Sequence, residues 1–188
     1  MDDYRDHDVV SVWDVSTRQR LGGISGETSF HRILFSTDGT SILVNDTFAF
    51  GRIYLWSLPD EQALAARQAL VAFTGALNDG DYEAAAALFH LFDEEREWYA
   101  SMGLDTTSPL ALFTSLCVLE SQPCMPIEEV LYQGEQDDEI YTFLVRFSGP
   151  DGETYMNLDG DTVFWMYAMI DQDGSVRVTS LPPFDYNP

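Results

Sequence analysis

The hydrophobic period of this chain changes at Asp60. Before that point apolar residues alternate in short runs broken by turns, and after it they recur at helical spacing. A strand repeats its faces every two residues and a helix every 3.6, so one element cannot satisfy both patterns. The chain therefore divides near Pro59, into a β-segment (1–58) and a larger part that begins with helices (59–188).

Residues 9–15, 19–24, 30–36, 41–46 and 52–58 read as short strands. The turn-prone stretches Ser16-Thr17-Arg18 and Thr37-Asp38-Gly39-Thr40 separate two pairs of them. Five such strands in succession predict an antiparallel meander rather than βαβ units. From Asp60, a helix cap, Ala66, Leu70, Phe73 and Leu77 share one helical face, and Asn78-Asp79-Gly80 supplies a stop. Asp81 caps a second helix carrying Tyr82, Ala85, Ala86 and Phe89. A third, polar helix is expected over 94–102, ending at Gly103. Ser108-Pro109 opens a fourth that runs to about Leu119. Beyond Pro126, strands are expected at 127–133, 139–148, 153–158, 162–171 and 175–181, separated by Asp- and Gly-rich turns. Helices followed by an antiparallel sheet make an α+β pattern.

Charge narrows the partners. Thirty-two acidic side chains against nine basic ones give a net charge of −23, and all nine cations are Arg. Such a surface repels phosphate backbones and anionic lipid, so neither nucleic acid nor a membrane is an expected partner. The same acidity is also explained by solubility alone. No apolar run approaches the ~20 residues that span a bilayer, and residues 1–8 are acidic with no apolar core of an export signal.

Two stretches resemble known families. Val10-Ser11-Val12-Trp13-Asp14-Val15 is similar to the third strand of a WD-repeat propeller blade with its Trp-Asp ending, and 19–24 to the fourth. Phe35-Ser36-Thr37-Asp38-Gly39 resembles the turn after a first strand, and Arg52-Ile53-Tyr54-Leu55-Trp56-Ser57 the next third strand, with Ser in place of Asp. Gly26-Glu27 stands where the family has Gly-His, so its His-centred hydrogen-bond network is missing. About fifty residues hold little more than one blade, and a closed ring needs at least about four. The resemblance therefore implies the C-terminal end of a propeller, in a fragment of a longer protein or as a remnant docked on the following domain. Residues 61–181, with Gly80-Asp81-Tyr82-Glu83-Ala84-Ala85-Ala86-Ala87-Leu88-Phe89 at the second helix, resemble the cystatin-like cone of nuclear transport factor, ketosteroid isomerase and many small bacterial domains. There, helices pack on a curved antiparallel sheet. That fold hosts isomerases, dehydratases, transport adaptors and plain binding modules, so it implies no single activity.

Enzymes of this cone place an Asp, His or Tyr in an apolar pocket. The inward polar candidates are His90, Tyr141, Tyr155 and Tyr167, with Glu120 near a helix end. The expected ligand-pocket residues are Tyr141, Trp165, Tyr167, Phe73 and His90. His90, between Phe89 and Leu91, fits a surface or core-edge histidine better than a general base. His7 and His31 have no spacing that suggests a metal, and no metal or cofactor is expected. Asp159-Gly160-Asp161 and Asp171-Gln172-Asp173-Gly174 read as hairpin turns, since neither is followed by the bidentate Glu of a calcium loop; Asp137-Asp138-Glu139 reads as a solvated loop. Residues 162–171 are apolar on both faces, with Val163, Trp165, Tyr167 and Met169 opposite Phe164, Met166, Ala168 and Ile170. One face lines the interior; the other needs cover from the β-segment, a partner or a second copy of the chain. Cys117 and Cys124 are expected to pair, because a reversal after Gln122-Pro123 brings a helix end and the following chain together. A persistent bond implies a place outside a reducing cytosol, and two free thiols imply a cytoplasmic one. The functional expectation is a non-enzymatic module that binds a protein or a small apolar ligand. The alternative is an isomerase or dehydratase with an acid/base residue inside the cone.

Overall fold

The structure is a computed structural model that describes residues 8–15, 18–25, 30–46, 53–119, 124–136, 140–157 and 159–183. Its elements in order are β1 (Asp8–Asp14), β2 (Gln19–Ser25), β3 (Phe30–Phe35), β4 (Ser41–Asp46), β5 (Ile53–Ser57), α1 (Glu61–Asn78), α2 (Tyr82–Ala87), α3 (Asp93–Ser101), α4 (Pro109–Leu119), β6 (Ile127–Gln136), β7 (Ile140–Phe147), β8 (Phe164–Ile170) and β9 (Val176–Val178). The fold is α+β, with antiparallel sheets ordered β1-β2, β3-β4-β5 and β6-β7-β8-β9. His7, Gly26, Glu27, Arg52, Glu120, Leu158 and 137–139 lie outside the described residues, as does the side chain of His31.

The helix starts follow from their caps. Asp60 Oδ1 accepts from the Ala63 N–H at 2.8 Å, Asp81 Oδ1 from Ala84 at 3.1 Å, and the Ser108 hydroxyl from Ala111 at 3.1 Å. Along α1, Ala63, Ala66, Leu70, Phe73 and Leu77 are buried, as their spacing requires. They pack on the inner face of the four-stranded sheet, where Tyr141, Phe143, Val145, Phe147, Met166 and Ala168 are all at most 1% exposed. After α2 the chain does not stay helical to Phe89. Residues 88–90 run parallel to β9, with the Val178 N–H donating to Leu88 O at 2.8 Å and the His90 N–H to Val178 O at 2.9 Å. The helical layer is thereby tied to the sheet edge, and Arg177 reinforces the tie through Ala87 O and Asp171.

Three expectations are corrected. The β-segment is not one meander: a hairpin (β1-β2) and a three-stranded sheet (β3-β4-β5) are separate, and among the described residues β2 does not pair with β3. The expected strand at 153–158 is absent from the described residues, apart from a bridge between Ser148 and Thr154. Asn157 Oδ1 there accepts from the N–H groups of Asp159 and Asp161, which curls the chain into a turn, while Tyr155 tucks against Phe164. The strand expected at 175–181 stops at Val178, because Ser180 gives its hydroxyl oxygen to the Tyr167 N–H in place of a backbone carbonyl.

The β-segment is packed onto the α+β part. Ile42, Val44 and Trp56 on one face of β3-β4-β5 join Val10 and the core residues around α1 in one apolar cluster. Trp56 meets Tyr132 of β6 with ring centroids 6.5 Å apart. Gly22 of β2 is needed at this junction: a Cβ there would enter the Trp56 ring and lie 3.0 Å from Tyr132 O. On the sheet's other side, Glu129 accepts from Arg20 at 2.8 Å and from Arg146 at 3.0 Å, so one carboxylate bridges two guanidinium groups from different sheets. Trp56→Ala is expected to cost about 3–5 kcal/mol in denaturant unfolding, the usual range for emptying a buried tryptophan site. A loss below about 1 kcal/mol would mean that the β-segment is a loose appendage.

Cys117 and Cys124 form a disulfide with Cα atoms 5.8 Å apart. It closes a short loop between the end of α4 and the start of the sheet, and loop-entropy reasoning gives such a closure about 2–3 kcal/mol. Thiol titration of the unfolded, unreduced protein should find no free thiol, and reduction should lower stability by about that amount.

Candidate functional site

The inner faces of α1 and of the sheet carry fully buried side chains, among them Phe73, Tyr141 and Phe143. Phe73 stacks on Phe89 at 5.4 Å, and Phe113 meets both edge-on at 5.5 and 5.1 Å. Phe73 is thus a core residue. Tyr141 is 1% exposed and its hydroxyl hydrogen-bonds to Gln62 Oε1 of α1 at 3.1 Å. His90 is partly buried and sets its ring edge-to-face on Phe92 at 4.6 Å. Trp165 points the other way from Met166 and is 55% exposed. Tyr167 shares that outer side and is partly buried. Of the five expected pocket residues, Tyr167 lines the cleft described next, and the other four are not among its lining residues.

That cleft has a volume of about 590 Å³ and is lined by Glu95, Trp98 and Tyr99 of α3, Met102 just past its end, Tyr167 of β8, and Ser180, Leu181, Pro182 and Pro183. Helical spacing brings Glu95, Trp98, Tyr99 and Met102 to one side of α3. The opposite wall is pinned by two bonds to Tyr167, whose N–H donates to Ser180 Oγ at 2.8 Å and whose carbonyl accepts from the Thr179 N–H at 3.0 Å. Leu181 and Pro182 are buried behind it. Glu95 stands at the third position of its helix, where its carboxylate accepts from the Phe92 N–H. Its Oε2 is buried and makes no hydrogen bond. Desolvation raises the Glu95 carboxyl above the ordinary glutamate value, against smaller lowering effects from the Phe92 N–H and from His90. Burial, with the nearby Glu95 charge, also raises the Tyr99 hydroxyl. Reading α3 only as a polar helix missed these residues. The available signal was Trp98, Tyr99 and Met102 gathered within one turn beside Glu95.

The second feature is the outward face of β3-β4-β5. Pairing places Leu34 opposite Leu43 and Leu43 opposite Leu55 across the three strands. Leu55 is 71% exposed, Ile53 64% and Leu34 56%. Exposed apolar bands of this kind are the surfaces through which proteins commonly associate. β5 pairs only with β4 among the described strands, so its far edge is open to another strand.

Among the described residues no three His, Cys, Asp or Glu side chains gather as a metal site. Asp171-Gln172-Asp173-Gly174 is the turn joining β8 to β9, closed by the Gly174 N–H on Asp171 O at 2.8 Å. No described helix is long and apolar enough to cross a membrane. No protein-family model matches the chain, and no curated protein or solved structure is matched by it.

A raised carboxyl pKa fixes a sign. The folded state binds the Glu95 proton more tightly than the unfolded chain does, so this group opposes folding at neutral pH and ceases to do so as pH falls through its folded value. Glu95→Gln keeps an acceptor for the Phe92 N–H. It should melt no lower than the parent protein at pH 7, and its advantage should shrink on acidification. An NMR titration midpoint for Glu95 at or below the ordinary glutamate value would contradict this.

Proposed function

We propose that the chain is a non-enzymatic protein-interaction module, the C-terminal part of a larger propeller-containing protein, which takes an extended strand of another polypeptide segment against β5. The carrying observation is the band of exposed Leu34, Ile53 and Leu55 around the half-buried Leu43, beside an open strand edge. Main-chain pairing on β5 supplies affinity, and alternate apolar side chains on the band supply selectivity. The division of the β-segment between β2 and β3 supports the propeller reading, because the resemblance puts a blade boundary there. The side-chain-filled interior favours binding by outer surfaces over the isomerase or dehydratase alternative. The cleft does hold a carboxylate beside Tyr167, but α1 contributes nothing to it and it opens to solvent. The disulfide favours a location outside a reducing cytosol.

Selection of random peptides against the whole protein tests this. Binders should show alternating apolar and β-branched residues, and Leu34→Glu and Leu55→Glu should each weaken them at least about tenfold. Binders indifferent to both substitutions would sink the proposal. A second copy seated on the outer side of β8 is the competing arrangement; a dimer by mass measurement that Trp165→Glu dissociates would favour it.

A further inference from the structure

A carboxylate oxygen that is buried without a partner is costly unless something of opposite charge or a donor reaches it. Glu95 is half-buried and lines a cleft large enough for a small molecule, with its Oε2 sealed just behind the cleft wall and without a hydrogen bond. Its other side is held by the Phe92 N–H, so the carboxylate is oriented from within the helix rather than free to swing into solvent. The charged groups near it do not remove the demand. Arg96 is turned to Thr106 O at 2.8 Å and to Asp93 at 3.7 Å. His90 acts on Glu95 through space, but its ring is occupied by Phe92. Asp93, Glu94 and Glu97 on the same helix are exposed and add negative potential around the mouth. Around the carboxylate the walls are aromatic and apolar: Trp98 and Tyr99, with ring centroids 4.9 Å apart, then Tyr167 and Met102.

We infer that this cleft binds a small organic cation of the alkylammonium class, with its charge facing Glu95 and its alkyl groups against Trp98, Tyr99 and Tyr167. Aromatic walls attract such a cation through their ring quadrupoles, and a weakly hydrated alkylated nitrogen loses less on entering than a bare ammonium does. A metal ion would need more oxygen ligands than one carboxylate supplies here. The volume of about 590 Å³ exceeds what an ammonium head alone fills, so the ligand carries an apolar body that reaches Leu181 and Pro182. A free molecule is favoured over a lipid head group, because the net charge of −23 opposes approach to an anionic surface and the cleft is bounded on both sides.

The test uses the full chain at constant ionic strength, so that general attraction to an acidic protein is held fixed. Choline, benzyltrimethylammonium and the neutral choline isostere 3,3-dimethylbutan-1-ol are titrated in turn, with amide shifts read by NMR. Both cations should shift residues of α3 and 180–183, the benzyl compound binding more tightly. The neutral isostere should bind at least about tenfold more weakly than choline. Glu95→Gln, which keeps the helix cap, should lose about tenfold in choline affinity, and Trp98→Ala should lose a comparable amount. Equal binding of the neutral isostere overturns the inference, as does unchanged affinity in Glu95→Gln. Shifts scattered over the acidic surface do the same. Binding to phosphatidylcholine vesicles without binding to free choline overturns the free-molecule assignment.

Discussion

Three phenylalanines hold the helical layer of this protein together. Phe73 of α1, Phe89 after α2 and Phe113 of α4 meet within 5.5 Å of one another, from three separate stretches of chain. Together they fill the space between α1, the chain after α2, and α4. Rings packed in this way gain both burial and edge-to-face attraction, so opening a cavity among them would forfeit several favourable contacts at once. The outside offers an uncovered sheet face at one end and a cleft against α3 at another.

The two features differ in chemistry. The band on β3-β4-β5 is apolar, flat and bordered by an unpaired strand edge, which suits a polypeptide. The α3 cleft is small and aromatic around a single buried carboxylate oxygen, which suits a compact charged molecule. Neither draws residues from the other, and Trp56 and Tyr132 of the shared core take part in neither. A substitution at one feature can therefore be read without disturbing the other.

Local chemistry was legible in the residues. Asp60, Asp81 and Ser108 announced their helices because a cap acts within three residues, and Cys117 and Cys124 announced their bond because the intervening chain is short. Residues 153–158 were misread because Thr154-Tyr155-Met156 looks like a strand, whereas the side chain of Asn157 takes the neighbouring N–H groups first. The orientation of β8 was not legible at all. Both of its faces are apolar, so alternation cannot say which turns inward, and it is packing against α1 that buries Met166 and leaves Trp165 outside. The α3 cleft was hidden for a different reason: its second wall, 180–183, arrives about eighty residues later, through a sheet whose final strand is only three residues long.

The close approach at Gly22 also constrains how this sequence can drift. Gly22 and the Trp56 ring occupy neighbouring space so tightly that any side chain at the first position requires a smaller one at the second. A smaller residue at 56 alone leaves Tyr132 without its aromatic neighbour, and a larger one at 22 alone pushes β2 away from β6, straining the reach of Arg20 to Glu129. The two positions are therefore expected to vary together among descendants of this sequence or to stay fixed together. On that expectation the hairpin and the three-stranded sheet are inherited as one unit, although nothing covalent joins them at that point.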